Sequence, residues 1–87
     1  MIIKRTASFK KQYQKLPVKY QAQFDTKLRA FVANPADVQL HNHPLRGNLA
    51  GYWSINVSGD LRALYRKEGE EIIIFALIGT HSQLYGK

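Results

Sequence analysis

Residues 52–78, YWSINVSGDLRALYRKEGEEIIIFALI, contain the pattern that decides the fold. Apolar and polar residues alternate over 52–57 and again over 61–67, which is typical of strands with one buried face. A short glycine-centred turn separates each strand from the next, so neighbouring strands are expected to be antiparallel. The last run, residues 72–78, is apolar on both faces, as in a central strand. The segment therefore predicts three consecutive strands of one sheet.

Two helices and a short strand are predicted upstream of this sheet. Residues 1–5, MIIKR, have the composition of a strand, and a first helix follows from Thr6 until Pro17 ends it. A second helix follows Pro17 and stops at Asn34–Pro35. Aromatic and leucine side chains recur at helical spacing along both helices: Phe9, Tyr13 and Leu16 in the first, and Tyr20, Phe24, Leu28 and Phe31 in the second.

The element order β-α-α-β-β-β predicts an α+β fold. Residues 35–51 are expected to form the loop that joins the second helix to the sheet. The two helices should pack on one face of a mostly antiparallel sheet, because each helix has a single apolar face. The opposite face of the sheet would remain partly open, and we expect functional residues there.

Composition limits the class of protein. The 87 residues are enough for one domain, residues 1–87, with a modest core. The sequence has no cysteine, which excludes disulfides, cysteine-ligated metals and a thiol nucleophile. Its apolar runs are too short to cross a bilayer, and its basic beginning does not resemble a signal peptide. These features predict a cytoplasmic protein that is not embedded in a membrane.

The charge balance indicates an anionic partner. Thirteen Lys and Arg residues against six Asp and Glu give a net charge of +7 and a pI of about 9.9. Such an excess on a short chain attracts nucleic acid or an acidic protein. Several of the lysines lie on the polar faces of the first predicted helix: Lys10, Lys11 and Lys15.

The three histidines, His41, His43 and His81, are the first candidates for chemistry. Together they could form a three-histidine metal site, but their spacing matches no metal-binding motif. Separate acid–base roles fit better, because histidine titrates near neutral pH. We therefore expect no metal and no other cofactor.

Four more side chains have both a functional and a structural interpretation. Arg62 and Arg66 lie on one side of a strand, where they could form a solvated row or bind a phosphate. Tyr85 could stack on a base or pack against the sheet. Asp60 could orient a histidine or stabilise its turn. The residues alone leave these alternatives open.

Three segments carry a resemblance to a known family: HPLRG at 43–47, GDLRALY at 59–65 and GTHSQLYG at 79–86. Together they resemble the RelE/ParE superfamily of type II toxins, and most closely its YafQ-like branch of ribosome-dependent mRNA interferases. The resemblance implies a RelE-like fold and a small endoribonuclease that acts in the ribosomal decoding site. There the 2′-hydroxyl of the message attacks the adjacent phosphate without a metal.

The resemblance also implies functional positions in this sequence. They are His43, Asp60, His81 and Tyr85, which match the functional residues of the YafQ-like motifs. The expected partners are the ribosome with its 16S rRNA, the mRNA and a small acidic antitoxin. RNA or ribosome contacts are expected from the basic residues Lys10, Lys11, Lys15, Arg46 and Arg66.

The sequence departs from the YafQ-like pattern at two positions. Asn56 replaces a histidine of that branch, and Leu77 replaces an arginine. Arg62 matches instead an arginine that RelE-like members place beside the scissile phosphate, so we expect it to supply the cation. Two alternatives remain: a ParE-like toxin that binds DNA gyrase without catalysis, and a decayed RNA-binding homologue.

Overall fold

Within residues 1–86, which the computed structural model describes, the chain forms five strands and three α-helices. In chain order these are β1 (Ile2–Arg5), α1 (Ala7–Lys15), α2 (Val18–Ala33), β2 (His43–Pro44), β3 (Trp53–Ser58), β4 (Leu61–Glu68), β5 (Ile72–Thr80) and α3 (His81–Tyr85). The predicted domain runs on to Lys87, which lies outside the described residues. None of the helices in the described part is long and apolar enough to span a membrane.

The strands form one mixed sheet in the order β1-β5-β4-β3-β2. β1 runs parallel to β5, and the other neighbours are antiparallel. The α+β prediction is confirmed, and β5 lies between two strands as its apolar run predicts. Thr6 caps α1, because its hydroxyl accepts a hydrogen bond from the Phe9 N–H at 3.1 Å.

Two segments are more ordered than the sequence analysis predicts. The expected loop contains β2 and two short 3-10 turns, at Val38–Leu40 and Gly47–Leu49. A strand of two residues is too short to show periodicity, so its pairing with β3 could not be predicted from the sequence. Residues His81–Tyr85 form α3, a single helical turn for which the sequence analysis predicts no regular structure.

An aromatic core joins the helices to the sheet. Phe9 of α1 and Phe24 of α2 have ring centroids 5.2 Å apart, and both rings pack on Phe75 of β5. Phe31 of α2 packs on Tyr65 of β4 at 5.1 Å. All five side chains are at most 1% exposed. Burying each stabilises the fold by about 1.5–3 kcal/mol, so these contacts fix the helices against one face of the sheet.

Alkaline pH should destabilise the protein partly through Tyr13, whose hydroxyl donates to Asp25 at 2.9 Å. Burial, and then the hydrogen bond and charge of Asp25, raise the pKa of Tyr13. The folded protein therefore keeps this proton to higher pH than the unfolded chain. The associated stability is complete below about pH 10 and is lost as the pH rises through the raised pKa.

We therefore expect Tyr13→Phe to be less stable than wild type at pH 7 but to lose less stability at alkaline pH. Urea unfolding measured at intervals from pH 7 to about pH 11 checks this, because the unperturbed tyrosine pKa of about 10 lies inside that range. Parallel stability curves for the two proteins would contradict the expectation.

Candidate active site

A cavity of about 390 Å³ brings together residues that are distant in the sequence. Four of the five predicted catalytic side chains line it: His43, Arg62, His81 and Tyr85. The remaining lining residues are His41, Leu45, Arg46, Leu49 and Ser54. The cavity therefore combines imidazole, guanidinium and phenol groups at one site.

The sheet and α3 position these side chains. β2 places His43 opposite Ser54 of β3, and β4 contributes Arg62. β5 leads directly into α3, on which His81 and Tyr85 are four residues apart and therefore share a face. Their ring centroids are 4.3 Å apart. Side chains from β2, β3 and β4 thus line the cavity, and α3 completes it.

His43 has a defined tautomer when it is neutral. Its Nδ1 lies 2.8 Å from the His41 carbonyl oxygen, which can only accept a hydrogen bond. Nδ1 must therefore carry the proton, which leaves Nε2 of the neutral ring with a free lone pair. This nitrogen can accept a proton from a group bound in the cavity.

Arg62 is held at the start of β4 by two backbone carbonyls. Its Nη1 donates to the Gly59 oxygen at 2.6 Å and to the Leu61 oxygen at 3.1 Å. A guanidinium has five N–H donors, so the donors on Nε and Nη2 remain for an anion. The side chain is half-buried, which limits its motion and strengthens its charge interactions with a bound phosphate.

The Asp60 side chain lies outside this cavity. It is exposed and lines a neighbouring groove together with Lys15 and Tyr20. Its backbone carbonyl accepts a hydrogen bond from the His81 N–H at 3.2 Å. Asp60 therefore contacts the first residue of α3 through its backbone, and its carboxylate is not placed among the cavity side chains.

The predicted RNA-binding residues are also divided between the cavity and the outer surface. Arg46 lines the cavity, whereas Arg66 is exposed further along β4 and does not line it. The three lysines of α1, which are Lys10, Lys11 and Lys15, are all exposed. Only Arg46 of this set could therefore contact a ligand seated in the cavity.

The two departures from the YafQ-like pattern lie beside the site. Asn56 is opposite Arg62 in the β3–β4 register, and its Oδ1 is buried without a hydrogen-bond partner in the described part of the chain. Leu77 is opposite Leu64 in the β4–β5 register and is half-buried. Neither side chain lines the cavity.

His41 is the histidine of the cavity that the sequence analysis left out of the catalytic set. Its ring centroid is 5.1 Å from that of His43. The two-residue spacing was the available signal, because it places both side chains on one side of an extended segment. Within residues 1–86, no group of three or more His, Cys, Asp or Glu residues is arranged to hold a metal ion.

The order of α3, and hence of His81 and Tyr85, should depend on its capping box. Thr80 Oγ1 accepts a hydrogen bond from the Gln83 N–H at 3.2 Å, and Gln83 Oε1 accepts one from the Thr80 N–H at 2.8 Å. Losing such a cap costs about 1 kcal/mol. We expect Thr80→Ala to accelerate hydrogen exchange about fivefold at the Gly86 amide, which donates to Ser82 within α3.

Thr26→Ala is a matched control, because the Thr26 hydroxyl also makes a local hydrogen bond, but within α2. It should leave the exchange rate of the Gly86 amide unchanged. Equal exchange in Thr80→Ala and wild type would show that the cap does not order α3.

Comparisons with known proteins agree with this architecture. A family model described as "Bacterial toxin of type II toxin-antitoxin system, YafQ" matches residues 1–86. A comparison with curated protein sequences found no significant match.

Solved structures with similar folds include the following three, all at low sequence identity to this chain. YafQ from Escherichia coli BL21(DE3) superposes with a TM-score of 0.82 at 20% identity, covering 97% of both chains. A YoeB/ParE toxin from Agrobacterium tumefaciens gives 0.77 at 24% identity, covering 93% of this chain and 99% of that one. The Escherichia coli DinJ–YafQ toxin–antitoxin complex gives 0.78 at 20% identity, covering 97% and 96%. These matches establish the fold.

Proposed function

Because the chain belongs to the YafQ family of bacterial type II toxin–antitoxin toxins, we propose that it is a ribosome-dependent endoribonuclease that cleaves mRNA in the decoding site. The observation that carries the proposal is the convergence of His43, Arg62 and His81 on one cavity. Cleavage by 2′-hydroxyl attack needs a base, a cation and an acid, and these three side chains provide one of each.

In the proposed reaction, His43 is the general base. Its free Nε2 accepts the proton of the 2′-hydroxyl as that oxygen attacks the adjacent phosphorus. His81, in its protonated form, donates a proton to the 5′-oxygen as the P–O5′ bond breaks. The products are a 2′,3′-cyclic phosphate and a 5′-hydroxyl, so one proton is taken up and one is released.

Arg62 is proposed to stabilise the charge that develops on the phosphoryl oxygens. The backbone contacts of its Nη1 orient the guanidinium before substrate binds, so little reorganisation is needed during the reaction. Tyr85 is proposed to stack on a neighbouring base, since its ring lines the same cavity and contacts His81. Asp60 is proposed to support this arrangement through its backbone contact with α3.

Substrate orientation is proposed to come from the ribosome. Among residues 1–86 the cavity offers few side chains, and only Arg46 and Arg62 bring permanent positive charge into it. The ribosome would already orient the mRNA that it holds. This chain would then need only to bring its catalytic groups to the scissile phosphate. The exposed lysines of α1 would contact rRNA phosphates outside the cavity.

A small acidic antitoxin is the proposed regulatory partner. One of the solved relatives is a DinJ–YafQ toxin–antitoxin complex. The net charge of +7 on this chain favours an acidic protein over a basic one, because electrostatic complementarity directs association. We propose that both act in the cytoplasm, where translated mRNA is found.

The His81 assignment predicts that removing one exposed imidazole ring causes a large loss of cleavage activity. His81→Ala should lower cleavage by about 10²- to 10⁴-fold through loss of the general acid, with little change in stability. The measurement is primer extension on a reporter message after brief induction, together with single-turnover cleavage on programmed ribosomes. Ser82→Ala, at the next exposed position of α3, is the matched control and should cleave like wild type.

Arg62→Ala belongs to the same experiment and should lower turnover more than affinity, because the charge it stabilises develops in the transition state. Full cleavage by both His81→Ala and Arg62→Ala would show that the active-site assignment is wrong. Stalled replication with intact messages would instead favour the gyrase-binding alternative.

Ribosome binding should weaken steeply as salt concentration rises. Each lysine–phosphate contact releases counterions, so removing one should reduce the slope of log K against log salt by about 0.7 to 0.9. We expect the triple variant Lys10→Ala, Lys11→Ala and Lys15→Ala to reduce the slope by about 2. Filter binding to ribosomes over a range of KCl concentrations measures this slope for the variant and for wild type.

Lys4→Ala is the matched control, because Lys4 is exposed on the edge strand β1. Its removal lowers the net charge by one, as does the removal of each lysine of α1. It should leave the slope nearly unchanged. A triple variant with the wild-type slope would show that the α1 lysines make no phosphate contacts.

A further inference from the structure

We propose that Tyr65 and Asn42 form a positioning tether that holds His43 in its catalytic orientation and tautomer from the opposite side of the sheet. The tether is the chain of hydrogen bonds from the Tyr65 hydroxyl through the Asn42 side chain to the Pro35 carbonyl. The catalytic part of this inference rests on the proposed function, in which His43 is the base.

The fixed end of the tether is Tyr65, which is only 1% exposed. Its ring lies 5.1 Å from that of Phe31, 5.5 Å from that of Phe75, and stacks on Trp53 at 6.3 Å. A side chain packed on three rings cannot change rotamer without disturbing the core. The Tyr65 hydroxyl is therefore a fixed point.

Asn42 connects this fixed point to the loop. The Tyr65 hydroxyl donates to Asn42 Oδ1 at 2.9 Å, and Asn42 Nδ2 donates to the Pro35 carbonyl at 3.1 Å. Burial raises the pKa of Tyr65, so the hydroxyl remains a donor at neutral pH. Both ends of the Asn42 amide are thus engaged, and the amide is held in one orientation.

Residues 40–43 alternate between the two sides of the sheet. Leu40 is fully buried in the core, and Asn42 contacts Tyr65 from the same side. His41 and His43 line the cavity on the other side. Burying Leu40 in the core and bonding Asn42 to Tyr65 therefore fixes the backbone from which the two imidazole rings project.

The backbone of His41 requires such support. Among residues 1–86, His41 is the only non-glycine residue with a positive φ, at φ 48° and ψ 45°. A side chain makes this left-handed conformation unfavourable, so the surroundings must impose it. The His41 carbonyl in this conformation accepts the hydrogen bond from Nδ1 of His43 and so sets its tautomer.

The strand pairing of β2 is too short to hold His43 alone. β2 pairs with β3 over only two positions, His43 with Ser54 and Pro44 with Trp53. Proline has no N–H to donate to the ladder, so the pairing is weaker still. The tether supplies the constraint that a longer strand would otherwise provide.

The test begins with the tautomer of His43, which can be measured without substrate. Two-bond ¹H–¹⁵N NMR correlations distinguish Nδ1-protonated from Nε2-protonated imidazole. Wild type should show the Nδ1-protonated form for neutral His43, whereas Tyr65→Phe and Asn42→Ala should show a mixture. Asn42→Ala is included because Asn42 lies in a loop, so that variant tests the tether even if Tyr65→Phe fails to fold.

The second measurement is single-turnover cleavage on programmed ribosomes. Tyr65→Phe and Asn42→Ala should each lower the cleavage rate about 10- to 100-fold with little change in ribosome affinity, because a misplaced base reduces reactivity rather than binding. Combining the two changes should add little to either one, since both break the same tether.

Tyr13→Phe is the matched control. It also removes the hydroxyl of a packed tyrosine that bonds to a side chain, but that partner is Asp25 on α2. It should leave both the His43 tautomer and the cleavage rate unchanged, so a loss confined to Tyr65→Phe cannot be assigned to lower stability.

The outcomes separate the tether from the proposed function. An unchanged tautomer and an unchanged rate in Tyr65→Phe and Asn42→Ala would overturn the tether. A mixed tautomer with unchanged cleavage would support the tether and overturn His43 as the base. Equal losses in Tyr13→Phe and Tyr65→Phe would overturn the positioning role and leave only a contribution to stability.

Discussion

The central position of β5 is the constraint on which the rest of the structure depends. β5 pairs with the parallel strand β1 on one side and with β4 on the other, and most of its residues are buried. Phe75 anchors both long helices to the sheet, and the carboxyl end of β5 continues without a loop into α3. A shift of β5 by one residue would exchange its core and cavity faces. The positions of His81 and Tyr85 are therefore set by the same packing that stabilises the fold.

Much of the fold and part of the site could be predicted because the signals are local. The alternation in β3 and β4, the apolar run of β5 and the helical spacing of the aromatic residues each lie within one element, and the structure has all of these elements. His43, Arg62, His81 and Tyr85 were chosen for their chemistry and their resemblance to family motifs, and the fold places all four around one cavity. Their catalytic roles remain predictions.

The remaining features depend on contacts between distant residues, which periodicity does not record. For Tyr65 the sequence predicts only a position in the alternating strand 61–67, but its hydroxyl bonds to Asn42, 23 positions earlier in the chain. Asp60 was included through its motif, yet its carboxylate faces a different groove because the turn before β4 directs it away from the cavity. β2 exists only through pairing with β3, so neither its composition nor its length could indicate it. For Tyr65 and for β2, the deciding partner is remote in sequence.

Asn56 shows how the site can differ from its family pattern and still contain the two imidazoles that the proposed reaction needs. An amide carries no titratable proton, and the Asn56 Oδ1 is buried with no hydrogen-bond partner among residues 1–86. A buried oxygen of this kind is out of reach of a ligand in the cavity, so this position offers the substrate no acceptor. Proton transfer would then fall to the imidazoles that line the cavity. Of these, His43 has its Nδ1 committed to a backbone carbonyl and His81 has its ring against Tyr85. The proposed division of roles rests on these unequal surroundings: the carbonyl-bound ring would accept a proton through its free Nε2, and the exposed ring on α3 would donate one.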